Sequence, residues 1–403
     1  MDDRMDDNTP VIIGVGQYSE RIGEKAYRAL SPMDLAGEAA RAAIADCQAV
    51  GRESCAVAGA IDTVAAIRQF EISHPGARAP FGSSSNPPRS IAQRVGADPQ
   101  RAILEIVGGQ GPQKLVGELA AQIAAGESSC CMIAGSEAIS TMLTLLKVGR
   151  QADWSEAPEG QLEDRGFGVA GLAEKSATAN GLGSPLPAYA LFENARRARL
   201  GLPREAYRAA MAELFAPFTR VAAANPHAAA RAIRSAEDLA QITPRNRIVA
   251  DPFPRMMVAR DQVNQAAAII LCSVGKAREL GVPSDRWVHI HSVTSAAEAP
   301  LLARPDLGRS PASIAAVQRA LALAGVAIGD VALMDFYSCF PIAVFNQIDA
   351  LGIAPDDPRG LTLTGGLPFF GGAGNNYSAH AIAEAVGRLR RNRKAYALIG
   401  ANG

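Results

Sequence analysis

No Cys-x-x-Cys pair occurs in this chain and its five histidines are scattered, so neither a zinc site nor a disulfide framework is indicated. The six cysteines, Cys47, Cys55, Cys130, Cys131, Cys272 and Cys339, read mostly as small apolar core residues. An excess of either charge is also absent. Lys+Arg and Asp+Glu stand at 40 each, without the basic surplus that nucleic acid or a membrane surface requires. No apolar run reaches the roughly 18 residues of a membrane-spanning helix. The acidic Met1–Asn8 lacks a secretory apolar core and reads as a disordered leader on a cytoplasmic protein.

What is present is glycine in particular places. Thr364-Gly365-Gly366-Leu367-Pro368-Phe369-Phe370-Gly371-Gly372-Ala373-Gly374-Asn375-Asn376-Tyr377 follows a β-rich Leu361–Leu363 run and precedes a helix-like Ala379–Leu389. Gly108-Gly109-Gln110-Gly111-Pro112 stands in the same way between Ile103–Val107 and Pro112–Ala125. Glycines allow a ligand close to the backbone, and the helix N-terminus behind them offers unpaired N–H groups. Two such turns facing one site suit the oxygen of an acyl group.

With 403 residues, 48% of them hydrophobic, the chain has material for two or three domains. Val11–Gly16 reads as a buried strand ending in a glycine turn, and Ser31-Pro32 as a helix start before Leu35–Cys47. Ile61–Ile67, Cys130–Ala134, Trp287–His291, Val331–Phe336 and Ala395–Ile399 are further strand candidates, and Ser310–Ala324 a helix. Ser73–Arg89 is a Pro/Gly/Ser-rich loop. Gly109 and Gly372 lie 263 positions apart with similar surroundings, which is how an internal duplication of α/β units reads. Between the copies, residues 143–247 carry few strand signals and read as a mainly helical insertion, with Arg204–Phe215 as one helix.

Four segments in this order resemble the thiolase superfamily, closest to its sterol-carrier-protein-2-type thiolases and bacterial thiolase-like acetyl-CoA acetyltransferases. They are residues 9–16, 107–113, 335–341 (Asp-Phe-Tyr-Ser-Cys-Phe-Pro) and 371–377 (Gly-Gly-Ala-Gly-Asn-Asn-Tyr). The resemblance implies two duplicated βαβαβαββ halves in five layers, with an inserted loop domain that receives coenzyme A. The halves would be residues 9–274, including the insertion at about 143–247, and 275–403. It also implies an acyl-CoA thioester as substrate, no tightly bound cofactor, and a homodimer. A small OB-fold/zinc-ribbon accessory protein is a further implied partner.

The departures from the family define the expected chemistry. Where thiolases carry a nucleophilic cysteine, this chain has Gly108-Gly109-Gln110-Gly111; where they carry Gly-His-Pro, it has Gly371-Gly372-Ala373. The Cys-x-Gly near the family's C-terminus falls at Ile399–Gly403, without a cysteine, and a final strand or extension is expected to be missing here. His380 does not match the histidine motif. The His-Asp-Cys-Phe motif survives as Tyr337-Ser338-Cys339-Phe340, so Cys339 reads either as a core thiol or as the acid/base of the site, with Tyr337 as a hydrogen-bond donor. Asn375 and Asn376 read either as helix caps or as amide donors replacing the lost histidine. Gly109, Gln110 and Gly372 complete the expected substrate contacts. His227, His289 and His291 read as structural, and Arg388–Lys394 as a solvated helix end. The expected activity is C–C bond chemistry α to a CoA thioester without an acyl-enzyme. The competing expectation is a non-catalytic acyl-CoA-binding or scaffold protein acting with a partner.

Overall fold

A computed structural model describes residues 5–49, 54–168 and 175–402. Its strands, in chain order, are β1 (Pro10–Ser19), β2 (Thr63–Ala66), β3 (Arg101–Leu104), β4 (Cys130–Glu137), β5 (Glu163–Asp164), β6 (Ile248–Ala250), β7 (Phe253–Pro254), β8 (Gln265–Ser273), β9 (Val288–His289), β10 (Val331–Asp335) and β11 (Tyr396–Ile399). A seven-stranded mixed sheet runs β5-β3-β2-β4-β8-β1-β9. β2 pairs parallel with β3 and β4, whereas β8 lies antiparallel between β4 and β1. β10 and β11 pair parallel as a second sheet, and β6 and β7 form a small antiparallel pair.

Side-chain alternation explains why this sheet is covered on both faces. Cys130, Met132 and Ala134 of β4 join one core with the helix Pro32–Asp46, and Cys131 and Ile133 join another with the helices Gly111–Ala124 and Tyr377–Arg391. These two helices are the ones behind the glycine segments. They stand on the inner face of the large sheet, and Ile399 of β11 packs against the same core. A third core, rich in aromatic residues, joins the helices Arg204–Ala224 and Pro341–Leu351 to β10. Helix, sheet, helix pair, sheet and helix give five layers. The described part of residues 143–247 is mainly helical.

Several local expectations change. β1 does not end in a glycine turn but runs on to Ser19. Gly14 and Gly16 are there because the helix Pro32–Asp46 lies on them: a β-carbon would sit 2.3 Å from the Ala43 carbonyl oxygen and 2.1 Å from that of Ala39. Leu361–Leu363 is not a strand. Its neighbourhood wraps the buried Asp335 carboxylate, which accepts the N–H groups of Leu363 (2.7 Å) and Thr364 (3.1 Å) that a strand would have given to a neighbour. The helix Arg204–Ala224 is longer than expected and contains Pro217. Asn8 N–H donates to Asp6 Oδ1 (2.9 Å) and Asp7 pairs with Arg278 (2.5 Å), so residues 5–8 of the expected leader are docked. Residues 1–4 lie outside the described residues.

Candidate functional site

The first glycine turn is pinned by the second. Gly108 at φ +136° and Gly374 at φ +54° adopt backbone that other residues rarely take. The Gly108 N–H donates to Asn375 Oδ1 (2.9 Å), and the Ser378 hydroxyl donates to the Gly109 carbonyl (2.8 Å). The duplicated halves therefore meet turn to turn. Gly109 has no room for a side chain: a β-carbon would lie 2.1 Å from the Tyr337 hydroxyl and 2.4 Å from the Asn402 carbonyl oxygen. The place where a side chain on Gly109 would begin is filled by a tyrosine hydroxyl.

Tyr337 and Cys339 lie just beyond β10, where its parallel pairing with β11 ends. Both are partly buried, and the Tyr337 ring meets Tyr377 edge-on at 5.5 Å. The Cys339 thiol faces the Tyr189 hydroxyl and the Asn402 side chain; the Asn402 amide lies 3.5 Å from the Tyr189 hydroxyl. Tyr189 in turn stacks on Phe340 at 4.4 Å. Burial pushes the Cys339 thiol up to about 12 and moves the hydroxyls of Tyr337 and Tyr189 above their ordinary range. At neutral pH all three groups hold their protons. The cluster can donate hydrogen bonds and protons to a developing oxyanion; it offers neither a thiolate nor a base.

The expected amide donors face elsewhere. Asn375 Nδ2 donates to the Arg68 carbonyl (2.7 Å) and to Ser73 Oγ (3.3 Å), while Asn376 Nδ2 donates to the carbonyls of Gly135 (2.7 Å) and Ala267 (3.4 Å). Neither asparagine caps the helix behind it through its side chain. Both tie the glycine segment to the large sheet and the segment after β2. The Gln110 side chain folds back over Gly108, with a buried Oε1 that has no partner among the described residues. Gly372 N–H donates to the Arg260 carbonyl (2.6 Å), which holds the second turn against the segment that leads into β8. His380 is buried away from the Gly109 turn, its Nδ1 2.7 Å from Gln17 Oε1, and burial lowers it to about 3. The Arg388–Lys394 expectation also changes, since Arg390 is buried on Asp46 (2.5 Å) and on the Ile13 (2.9 Å) and Arg286 (2.8 Å) carbonyls.

Sequence reasoning missed Tyr189 and Asn402. Tyr189 sits in the helix Pro185–Arg199 of the insertion with no motif around it. Asn402 falls in the segment where the resemblance looks for a cysteine, and that place was the only available signal. Both border a small cavity of about 40 Å³. A larger surface depression, about 550 Å³, is bounded by Gln93, Arg94, Glu156 and Glu159 and includes no residue of this cluster. Among the described residues no group of three His, Cys, Asp or Glu side chains suits a metal ion, and no helix is long and apolar enough to cross a membrane.

Five layers, with two glycine turns closing on one donor cluster, define the thiolase class of α/β proteins. The chain is 47% identical to the monomeric SCP2-thiolase-like protein type 1 from Mycobacterium smegmatis, with a TM-score of 0.82, over 99% of this chain and 75% of that one. It therefore belongs to the SCP2-thiolase-like proteins of the thiolase superfamily. The fold is shared more distantly with the Ltp2–ChsH2(DUF35) aldolase (19% identity, TM-score 0.67, 98% of this chain and 94% of that one). It is shared also with human mitochondrial 3-ketoacyl-CoA thiolase in complex with CoA (16%, 0.62, 98% and 95%). Neither a protein-family model nor a curated protein matches the chain.

Proposed function

We propose that this chain binds an acyl-CoA and makes or breaks a C–C bond α to the thioester directly, through an enolate and without an acyl-enzyme. The observation that carries the reading is the Tyr337 hydroxyl against Gly109, with Cys339, Tyr189 and Asn402 around it. In the cleavage direction, the electron pair of the breaking bond moves onto the thioester oxygen, which Tyr337 holds by a hydrogen bond. Cys339 then gives its proton to the α-carbon and regains one from water. A water molecule takes the proton of the departing β-hydroxyl as the new carbonyl forms, so the proton count closes. Asn375 and Asn376 keep the two turns in register rather than touching the oxygen, and Gly109, lacking a side chain, leaves the Tyr337 hydroxyl its place.

The charge of the insertion supports a CoA ligand. Within it, residues 194–247 contain ten arginines, no lysine and four carboxylates. Arginine's planar fork matches phosphate oxygens in pairs. Arg220, Arg234, Arg245 and Arg247 of this set are exposed. On this reading the insertion, about residues 143–247, is the CoA-facing part of an N-terminal half spanning 9–274. Residues 275–403 supply Tyr337 and Cys339.

The competing reading is a thiolase-like scaffold whose activity needs a second protein. The Ltp2–ChsH2(DUF35) aldolase, a distant fold neighbour named as two components, favours it. A homodimer is the alternative to the monomer reported for the SCP2-thiolase-like relative, and light scattering on the purified chain separates the two. The deciding experiment is acyl-CoA binding by calorimetry, followed by cleavage of a β-hydroxyacyl-CoA in deuterium oxide, with exchange read as deuterium taken up at the α-carbon of the product. Binding with exchange that Tyr337→Phe abolishes supports direct catalysis. Binding without exchange transfers the proposal to the scaffold reading.

A further inference from the structure

Arg304 is a charged side chain on the cavity beside the donor cluster that no catalytic role absorbs. Its guanidinium lies over the Phe192 ring, 4.9 Å from the centroid, and its Nε donates to the Ala299 carbonyl (2.9 Å). That leaves both terminal nitrogens without a protein partner among the described residues. Phe192 meets Tyr189 edge-on at 5.4 Å, and Tyr189 stacks on Phe340 at 4.4 Å. An aromatic ladder thus runs from Arg304 to the residue after Cys339. The cavity, about 40 Å³, has Arg304 and Phe192 on one side, Ser313 and Asn346 among its other walls, and Tyr189 and Asn402 at the end that touches Cys339. Arg309 also borders it, but stands 3.7 Å from the Asp306 carboxylate. Oε1 of the nearby Glu298 accepts from Ser310 Oγ (2.8 Å) and the Ala312 N–H (2.9 Å).

We propose that this cavity is a carboxylate subsite, and that the acyl group handled here is a short one ending in a carboxylate. The proposal rests on the CoA-thioester reading above and narrows its substrate class. Size and chemistry argue together. One water-sized probe takes roughly 10–15 Å³, so the cavity admits about three heavy atoms, the size of a carboxylate and too small for an acyl tail. A guanidinium fixed by one hydrogen bond and by stacking presents its remaining N–H pair in the orientation that carboxylate oxygens accept. Ser313 and Asn346 add neutral donors. An arginine-held carboxylate is stabilised as the ion, so this group is retained through the reaction and not lost as carbon dioxide. The bond that changes lies on the thioester side, at Tyr337 and Cys339.

The test compares succinyl-CoA with butyryl-CoA, which match in length and differ in the terminal carboxylate, by calorimetry on the full chain. Succinyl-CoA is expected to bind at least about tenfold tighter, as a charge-assisted pair implies. Arg304→Leu should erase that difference while leaving butyryl-CoA binding unchanged, and Arg304→Lys should keep part of it. Asn346→Ala is the second variant, expected to narrow the preference without touching the arginine. Equal binding of the two esters by the wild-type chain would overturn the proposal. So would an Arg304→Leu that weakens both esters alike, because the arginine would then be holding the phosphates of CoA. Free succinate and butyrate separate the two layers of the argument. Arg304-dependent succinate binding without ester binding keeps the subsite and removes the CoA reading; no binding of either kind removes both.

Discussion

The Tyr337 hydroxyl stands where a side chain on Gly109 would begin, 2.1 Å from the position a β-carbon would take. A side chain at 109 and the phenol of Tyr337 therefore compete for the same space. Gly109→Ala must displace both the phenol and the Asn402 carbonyl, which lies 2.4 Å from the same point. We expect it to cost about 2–3 kcal/mol, the scale of an overpacked core. Gly109→Ala/Tyr337→Ala should recover part of that loss relative to the sum of the single variants, because only the backbone contact remains. Urea denaturation of the four proteins checks this, and strict additivity would mean the two residues do not share the space.

Asn375 bridges three segments through one carboxamide, accepting from Gly108 N–H and donating to the Arg68 carbonyl and Ser73. Asn375→Ala strands a buried N–H and a buried carbonyl together. The expected loss is about 2–4 kcal/mol of stability. Asn375→Asp should be similarly damaging, since its carboxylate keeps the Gly108 contact but faces the Arg68 carbonyl oxygen. An oxyanion donor would behave differently: the alanine variant would keep its unfolding midpoint and lose only turnover. Chemical denaturation beside the exchange assay distinguishes the two.

That orientation was not legible in the sequence. The glycine turns, the helices behind them and the order of strands were visible because glycine placement and apolar periodicity are local signals. The direction of Asn375 depends on partners 267 and 307 residues away. The same holds for Leu361–Leu363, whose strand-like composition is overridden by the buried Asp335 carboxylate drawing its N–H groups aside. In the sequence Val11–Gly16 reads as ending in a glycine turn because glycine marks turns and close packing alike; only the helix lying on Gly14 and Gly16 decides which. Tyr189 carries no pattern at all, and its place beside Cys339 exists only in three dimensions.

The buried His380 and the half-buried His227 set an acid limit on the fold. Burial lowers His380 to about 3 and, with Arg21 and Arg231 adding to it, lowers His227 to about 4, both from 6.5. The unfolded chain takes up protons below 6.5 that the folded chain refuses, so these groups contribute stability that is full above 6.5 and lost as pH falls toward 4 and 3. Glu71 and Glu193, raised by burial from 4.5 to about 7, act in the opposite sense. Their contribution is full below 4.5 and disappears as pH rises through 7. His380→Gln should isolate the first effect. The fall in unfolding free energy between pH 7 and pH 5 should be smaller in the variant by about 2 kcal/mol, as linkage for a shift of this size requires. An unchanged fall would mean that His380 is protonated in the folded protein.

Cys339 separates the proton-donor reading from a hidden nucleophile. A thiol at about 12 carries on the order of one part in ten thousand of thiolate at pH 8, and only the thiolate alkylates. Iodoacetamide at pH 8 should therefore leave Cys339 unmodified in the folded chain and label it once urea exposes it, as peptide mass spectrometry would read. Cys339→Ala should keep the unfolding free energy within about 1–2 kcal/mol, as for a small side chain removed from a partly buried site, and lower α-proton exchange at least a hundredfold. Cys339→Ser keeps a hydroxyl proton in nearly the same place and should retain more exchange than alanine. Rapid labelling of native Cys339 would place a thiolate in the site and restore acyl transfer to sulfur. Loss of stability with no change in exchange per folded molecule would reduce Cys339 to a packing residue and leave Tyr337 as the proton carrier.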